Sequence, residues 1–252
     1  MGKIISIVNH KGGVGKTMTT QNLGAALALC KKKVLMVDMD PQCNLTAHTL
    51  SADYHPNISE IMNDDDIEII PKVISTNYSI LPGAESLDED NIALSDMEIE
   101  EACVVLKLAL EKIKDKYDYI LIDCAPGSSM LMVNAIVASD EMIVPIADKD
   151  SVSGARKLTK ILGAYNVKPI GHYLTTQYDH RLTISRELRS TMAVESPKAL
   201  YHTVIRKTEA LNQAACGCMS IFEFDKKSYG AEDYMNLAKE IIGKKTKSEL
   251  PF

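Results

Sequence analysis

The segment Asn9-His10-Lys11-Gly12-Gly13-Val14-Gly15-Lys16-Thr17 decides how this chain is interpreted. It follows an apolar run at residues 3–9, which we predict to be a strand. It precedes residues 17–30, whose leucines and alanines recur at helical spacing. A glycine loop between a strand and a helix directs backbone N–H groups, and the positive end of the helix dipole, towards an anion. The sequence therefore predicts a phosphate-binding loop.

Two side chains of this loop carry the expected chemistry. Lys16 is placed to contact the β- and γ-phosphates of a nucleotide, and the hydroxyl of Thr17 to coordinate Mg²⁺. The strict G-x-x-x-x-G-K-[ST] pattern is not met, because His10 stands where its first glycine is expected and Lys11 precedes the glycine pair. A chance glycine turn is the alternative, and the order strand, loop, helix favours phosphate. We expect ATP and Mg²⁺ as cofactors.

Short apolar runs alternate with helix-period segments along the whole chain, which is typical of βαβ units. We predict further strands at 34–38, 78–81, 119–122, 143–146, 169–175 and 203–205, and further helices at 99–114, 129–138, 153–165, 183–192 and 231–242. The predicted fold is α/β: a single-domain P-loop NTPase with a mostly parallel twisted sheet flanked by helices on both faces. The expected domain spans residues 1–252, with an ordered core at about 3–242 and a short polar tail at 243–252.

Composition narrows the function classes. The chain has 252 residues, 46% of them apolar and 25% charged, which is typical of a globular protein. Its aromatic content of 5%, without Trp, argues against a base-stacking surface for single-stranded nucleic acid. The longest uncharged stretch, 16 residues from Cys124 to Ser139, contains Pro126 and Gly127 and is too short to span a membrane. We therefore expect a cytoplasmic protein without a membrane partner.

The net charge of −6 conceals an asymmetry between the two parts of the chain. Residues 1–150 carry 12 Lys and Arg against 24 Asp and Glu, whereas residues 151–252 carry 16 against 10. Such a distribution is compatible with a basic interaction face in the second part and equally with ordinary solvated charge.

Several segments together resemble one protein family. The stretch from Lys11 to Thr17 resembles the deviant Walker A motif of the ParA/MinD ATPases, with its extra lysine. Residues 37–42 (Val-Asp-Met-Asp-Pro-Gln) resemble the family's second motif, and residues 119–127 its Walker B strand and following switch. Residues 178–181 and 221–232 resemble further ParA segments in matching order. The resemblance covers residues 3 to 242, and the combination is far more specific than any single motif.

The resemblance implies roles for individual residues. Asp123 would hold Mg²⁺ with Thr17, and Asp38 would lie close to the metal. Asp40 would orient the attacking water, and Lys11 would reach the nucleotide of a partner subunit in an ATP-sandwich dimer. The implied catalytic set is Lys11, Lys16 and Asp40, and the implied metal set is Thr17, Asp38 and Asp123. The implied nucleotide contacts are Lys11, Gly12, Gly13, Val14, Gly15, Lys16, Thr17, Met18, Arg206 and Thr208.

The sequence also departs from the family pattern. Met18 replaces a usual Thr or Ser, so that a hydroxyl bond to the α-phosphate is lost and the backbone N–H remains. Arg206 and Thr208 lie in an Ile-Arg-Lys-Thr stretch where the family commonly has Ile-Pro-Arg-Asn beside the adenine. We expect these differences to alter nucleotide affinity rather than hydrolysis.

ParA-type proteins bind DNA without sequence preference as ATP-bound dimers, and a ParB-type centromere-binding partner stimulates hydrolysis. MinD-type proteins bind a membrane through a C-terminal amphipathic helix, for which residues 243–252 offer no sustained apolar face. The resemblance thus implies a nucleoid-associated homodimer that partitions plasmid or chromosomal DNA. The candidate DNA contacts are Arg186, Arg189, Lys226 and Lys227, because basic side chains neutralise phosphates.

Two alternatives stay open at this point. A ParA-like positioning ATPase for another intracellular cargo would share the ATPase and DNA steps but use a different partner. An iron–sulfur reductase of the nitrogenase iron-protein type also carries a deviant phosphate loop. That function needs paired cysteines that ligate a cluster between subunits, and Cys103 and Cys124 are the candidates by order.

Overall fold

The computed structural model describes residues 2–165 and 170–243. Within these ranges eight strands form one sheet. They are β1 (Lys3–Ile7), β2 (Val34–Met39), β3 (Lys72–Ser75), β4 (Tyr78–Leu81), β5 (Tyr119–Cys124), β6 (Glu141–Ile146), β7 (Ile170–Tyr178) and β8 (Leu200–Arg206). Their order is β3-β4-β2-β5-β1-β6-β7-β8. Each neighbouring pair is parallel except β3 with β4.

The helices of the described residues connect these strands. They are α1 (Lys16–Leu29), α2 (Asn44–Ala47), α3 (Ile58–Asn63), α4 (Leu87–Ser95), α5 (Ile99–Ala102), α6 (Val105–Glu111), α7 (Met130–Val137), α8 (Lys149–Ala164), α9 (Thr183–Glu195), α10 (Glu209–Cys216), α11 (Ile221–Phe224) and α12 (Tyr229–Ile242). A short 3₁₀ turn follows α6 at Lys114–Lys116. None of the helices within residues 2–165 and 170–243 combines the length and the apolar character that crossing a membrane requires.

The sheet separates two hydrophobic core layers, as alternation along the buried central strand requires. Ile4 of β1 packs with helices α3 to α8, whereas its neighbour Ile5 packs with α1, α10, α11 and α12. Both residues are fully buried. The predicted fold class, an α/β P-loop fold with a mostly parallel sheet and helices on both faces, is confirmed.

The parallel arrangement brings polar strand ends to one edge of the sheet. Asp38 of β2 lies directly opposite Asp123 of β5, and Asp123 lies opposite Ile7 of β1. Since β1 leads into the glycine loop, the strand ends place both carboxylates beside that loop. Ligand sites of open α/β sheets lie at this carboxyl edge.

The predicted long helix at 99–114 is wrong. The structure has two short helices, α5 and α6, with a break at residues 103 and 104. Asn134 of α7 causes the break: its amide donates to the carbonyl of Ala102 (2.8 Å) and its oxygen accepts from the N–H of Leu106 (3.1 Å). These two bonds from a buried side chain take the place of helical hydrogen bonds.

Other predicted boundaries shift or fall outside the described residues. β8 extends over Leu200–Arg206, beyond the predicted 203–205, and β7 runs past Thr175 to Tyr178. The edge strand β3, whose residues are mostly exposed, was not predicted. Pro169 and residues 244–252, most of the predicted polar tail, lie outside the described residues.

Candidate nucleotide and magnesium site

The glycine loop between β1 and α1 has the backbone of an anion-binding nest. Gly13 (φ 71°) and Gly15 (φ 89°) adopt left-handed conformations that L side chains rarely take. In the described part of the chain, the backbone N–H groups of residues 12–17 donate to no acceptor outside α1. Unpaired donors that converge at a helix N-terminus are suited to phosphate oxygens.

The end of strand β7 braces this loop from outside. The hydroxyl of Thr176 donates to the carbonyl of Val14 (2.8 Å), and the amide of Gln177 donates to the carbonyl of Gly13 (2.6 Å). These bonds engage loop carbonyls and leave the N–H groups available. Thr176 and Gln177 are residues that the sequence reasoning missed, and no local motif marks them.

The side chain of Lys16 is hydrogen-bonded to the backbone of the loop that precedes it. Lys16 is only 7% exposed. Its ammonium donates to the backbone carbonyls of Asn9 (3.2 Å) and Lys11 (3.0 Å). Burial lowers the pKa of Lys16, while the carboxylate of Asp123 opposes that shift. The ammonium therefore lies in a partly desolvated position where a phosphate charge would stabilise it strongly.

Asp123 offers a buried carboxylate oxygen that accepts no hydrogen bond from the described part of the chain. Oδ1 accepts a hydrogen bond from the hydroxyl of Thr20 (3.3 Å), whereas Oδ2 has no partner among the described residues. Thr17 lies beside the same carboxylate. A buried carboxylate oxygen without a hydrogen-bond donor destabilises the folded state unless a cation or a water molecule binds to it. Carboxylate and hydroxyl oxygens are ligands that Mg²⁺ prefers, so Asp123 and Thr17 fit this ion.

The pKa values of the two neighbouring carboxyls reflect their burial and their mutual repulsion. Burial, followed by repulsion from Asp38, raises the pKa of Asp123 well above its usual range. Burial also raises the pKa of Asp38 to about 6, against hydrogen bonds that lower it. Lys16 alone does not offset two buried carboxylates, and a divalent cation would supply the missing charge.

Asp38 connects the end of β2 to the segment that follows it. Its Oδ2 accepts from both the N–H (2.8 Å) and the hydroxyl (2.7 Å) of Thr46, at α2. Its Oδ1 accepts from the N–H of Asp40 (3.2 Å). A Cβ on Gly83 would lie 3.0 Å from the carboxyl carbon of Asp38, so a larger residue there would crowd this carboxylate. The observed contacts of Asp38 thus position Asp40 and α2.

A cavity of about 480 Å³ opens beside the loop. Asp40 lines it and is 6% exposed, with Oδ1 fixed by the N–H of Gln42 (3.0 Å). The sequence-predicted residues that line the cavity are Gly12, Gly13, Gly15, Lys16, Thr17, Met18, Asp40, Arg206 and Thr208. Val14 is buried beneath the loop, and Lys11 is directed elsewhere.

The far end of the cavity is apolar with a few polar groups. Met18, Leu211 and Tyr234 line it, and the Tyr234 hydroxyl lies 3.3 Å from that of Thr19. The buried hydroxyl of Thr208, at the start of α10, has no partner among the described residues. An apolar slot with a free hydroxyl can accommodate a nucleobase.

Arg206 lines the cavity, but its guanidinium is engaged by the protein. It forms ion pairs with Asp233 (2.6 Å) and Glu232 (2.7 Å) and lies 4.2 Å from the ring centre of Tyr229. The hydrogen bond with Asp233 is the main reason that the pKa of Arg206 is raised. The observed contacts of this arginine join the end of β8 to α12.

Lys11 turns away from the cavity in the single chain. Its ammonium contacts Asp148 (2.6 Å) and, at longer range, Asp150 (3.3 Å), at the start of α8. The Asp148 hydrogen bond raises the pKa of Lys11. Asp148 also caps α8 by accepting from the N–H of Ser151 (2.8 Å). The side chain of Lys11 is thus engaged within its own chain.

The four candidate DNA residues lie on two segments of the chain, helix α9 and the loop between α11 and α12. Arg186 is exposed on α9, which an Arg156–Glu195 ion pair links to α8, whereas Lys226 and Lys227 are exposed between α11 and α12. Arg189 is more buried, and its guanidinium donates to the Thr175 hydroxyl (3.2 Å) and the His202 carbonyl (2.9 Å). The guanidinium retains three of its five N–H donors.

The cysteine arrangement does not favour a cluster between subunits. Cys124 is 1% exposed, and Cys103 is half-buried with its thiol towards the carbonyl of Glu100. In residues 2–165 and 170–243 no group of three or more His, Cys, Asp or Glu side chains is arranged to hold a metal ion. The buried thiol of Cys124 is closed off by its own chain and cannot reach a cluster shared with a second subunit.

Together the glycine nest, the buried lysine and the strand-end carboxylates define a P-loop nucleotide-binding protein. A family model described as an AAA domain matches residues 2–169. The sporulation initiation inhibitor protein Soj of Bacillus subtilis is 36% identical over 251 residues, covering 96% of this chain and 98% of that protein. The chromosome partitioning protein ParA of Caulobacter vibrioides is 30% identical over 257 residues, covering 96% and 94%. The chain belongs to the ParA/Soj family of partitioning ATPases.

A solved structure agrees with this assignment. The septum site-determining protein MinD of Pyrococcus horikoshii, in complex with Mg-ADP, superposes with a TM-score of 0.78 at 25% identity and covers 96% of each chain. A protein with this fold therefore binds both a nucleotide and magnesium. The ParA/MinD resemblance found in the sequence is confirmed.

Proposed function

We propose that this protein is a Mg²⁺-dependent ATPase that forms an ATP-sandwich dimer, binds DNA without sequence preference and partitions plasmid or chromosomal DNA. The observation that carries the proposal is the unsatisfied Oδ2 of Asp123 beside a loop of unpaired N–H donors. One feature suits a cation and the other an anion, and a metal–nucleotide complex supplies both. The relatives named for chromosome partitioning support the cellular role.

In this proposal the loop N–H groups of residues 12–17 and the ammonium of Lys16 bind the phosphates. Thr17 and Asp123 hold Mg²⁺, which, when bound, offsets charge on the phosphate oxygens. Asp38 acts mainly by fixing Asp40 and α2. Asp40, buried at the cavity wall, orients the attacking water and accepts its proton.

Lys11 is the residue that makes hydrolysis depend on dimerisation. Released from Asp148, it reaches the phosphates bound by the partner subunit and stabilises the charge that develops during transfer. Basal turnover is therefore slow. A ParB-type centromere-binding partner stimulates hydrolysis and resets the dimer.

DNA binding follows from dimerisation, because two copies double the number of basic contacts. Arg186, Lys226 and Lys227 contribute exposed charges, and Arg189 contributes a guanidinium that donates to Thr175. This binding is salt-dependent and places the protein on the nucleoid. Reversal of Arg186, Lys226 and Lys227 to Glu should weaken binding to a random-sequence duplex and flatten its salt dependence. The same affinity at every salt concentration would place the DNA surface elsewhere.

Nucleotide binding is tested with a fluorescent ATP analogue titrated in Mg²⁺ and in EDTA. Lys16→Ala should weaken binding by about 10- to 100-fold, because a charge-assisted hydrogen bond to phosphate is lost. Lys11→Ala is the matched control and should bind normally, since Lys11 lies outside the cavity. Tight binding by Lys16→Ala, or binding unaffected by EDTA, would contradict the assignment.

A further inference from the structure

A second cavity of about 420 Å³ lies among α4, α5, α7 and α8 and shares no lining residue with the nucleotide cavity. We call it the α4–α7 groove. Its walls include Met97, Ile99, Met130 and Ile161. Met97 and Ile99 are 44% and 50% exposed, which is unusual for large apolar side chains that lie close together. An open apolar groove of this kind is suited to a protein partner.

One rim of this groove is strongly acidic. The chain has no Lys or Arg between Lys72 and Lys107, and Asp96 and Glu98 flank the exposed Met97. The exposed side chains of Glu100 and Glu101 continue this rim along α5. None of these four carboxylates forms an ion pair within the described residues. Unpaired carboxylates beside apolar side chains complement a segment that is both cationic and apolar.

Helix α8, which contributes Ile161 to another wall of the groove, constrains how such a segment lies. Lys157 and Lys160 are exposed on α8, next to Ile161 of the groove. The cationic side of an occupant must therefore face α4 and α5, with its apolar side towards the groove floor. This polarity disfavours DNA, whose charge is negative throughout.

A short segment, residues 126–130, runs from the nucleotide cavity to the groove. Pro126 lines the nucleotide cavity, and the N–H of Gly127 donates to the carbonyl of His10 in the phosphate loop (2.9 Å). A few residues later Met130 lines the groove, and its N–H donates to Asn91 of α4 (2.9 Å). An occupant that moves α4 therefore also displaces residues 126–130, which contact the phosphate loop.

We propose that the α4–α7 groove binds a cationic amphipathic segment of a partner protein, with an apolar side chain between Met97 and Ile99. The Lys or Arg residues of that segment pair with the acidic rim. Docking shifts residues 126–130 and thereby moves Pro126 in the wall of the nucleotide cavity. The identification of this occupant with the partner that stimulates hydrolysis rests on the proposed function; the docking itself does not.

The test uses the full chain and fluorescence anisotropy of a labelled Lys–Leu peptide whose leucines recur at helical spacing. Oligolysine of equal charge is the peptide control. Two groove variants are compared with wild type: Ser95→Trp, which fills the groove, and the triple reversal Asp96→Lys, Glu98→Lys and Glu101→Lys. The matched control reverses three exposed carboxylates outside the acidic rim at residues 96–101, Asp53→Lys, Asp66→Lys and Glu68→Lys.

The Lys–Leu peptide should bind at least roughly tenfold more tightly than oligolysine and lose roughly tenfold in affinity in both groove variants. The matched control should change its affinity less than about twofold. Equal weakening in the groove and control triples would show attraction to net charge alone and overturn the proposal. A change in oligomeric state of the groove variants without peptide would make a second copy the occupant and overturn it as well.

ATP hydrolysis without peptide distinguishes this proposal from the proposed function. The groove variants should keep the basal rate, because their residues lie outside the nucleotide cavity. Absence of hydrolysis in wild type would refute the proposed ATPase and leave the peptide result valid. An affinity for the peptide that is unchanged in both groove variants would refute the proposed docking site and leave the proposed ATPase activity valid.

Discussion

Replacement of Asp38 by Asn should change how the stability of the nucleotide-free protein depends on pH. Asp38 is completely buried beside Asp123, and burial raises its pKa to about 6 from an ordinary value of 3.8. Between these two values the folded state binds more protons than the unfolded state. The free energy of unfolding therefore falls as the pH rises through this range. Above about pH 6 the ionised Asp38 carboxylate destabilises the folded state to its full extent.

The size of this effect follows from the shift. A difference of about two pKa units corresponds to about 3 kcal/mol, of which about 2 kcal/mol develops between pH 4.5 and 7.5. For a chain of this length that equals about 4–8 °C in Tm. Removal of the Asp38 charge also relieves repulsion on Asp123, which acts in the same direction. The replacement amide retains an oxygen that can accept from Thr46.

The assay is thermal unfolding of the nucleotide-free wild type and Asp38→Asn at a series of pH values. Titrating groups other than Asp38 and its neighbour Asp123 affect both proteins alike, so the difference between the curves reports on this pair of carboxyls. The Asp38→Asn variant should gain stability relative to wild type as the pH rises from 4.5 to 7.5. Asp53→Asn, at an exposed position, is the control and should follow wild type. Parallel curves for Asp38→Asn and wild type would refute the reasoning.

Two further changes test the loop and its extra lysine. A Cβ added to Gly154 of α8 would collide with the Asn9 side chain that supports the loop, so Gly154→Ala should weaken ATP binding; Gly163→Ala, which meets nothing within 4 Å, should not. Loss of nucleotide affinity in both variants would implicate α8 in general. Asp148→Asn keeps the helix cap but frees Lys11, so ATP-driven dimerisation should occur at a lower protein concentration by sedimentation velocity. Unchanged dimerisation would show that the pair does not restrain Lys11.

The parts of the site that local sequence determines were predictable. Gly13 and Gly15 are required because their φ angles are positive, and a lysine after such glycines marks a phosphate loop. Asp38 and Asp123 were found because each ends an apolar strand, and parallel strands bring such ends together. The central strands and most long helices followed from the same periodicity.

The parts that depend on distant contacts were not predictable. Lys11 and Asp148 are 137 residues apart, and no pattern in either segment indicates their ion pair. Residues 99–114 have the periodicity of one helix, which the side chain of Asn134 interrupts from another helix. The ion pair between Arg206 and Asp233 likewise forms because β8 and α12 lie side by side in the folded chain. Tertiary hydrogen bonds of this kind override local preference.

The central claim is that ATP gates a dimer that binds DNA, and one measurement tests it most directly. Sedimentation of the Asp40→Ala variant, which we expect to hydrolyse ATP slowly, is followed with a labelled random-sequence duplex, with and without Mg-ATP. With Mg-ATP the variant should sediment as a dimer that carries the duplex, and addition of Lys11→Ala should abolish both while ATP stays bound. DNA binding of equal strength without nucleotide, or by the monomer, would contradict the account.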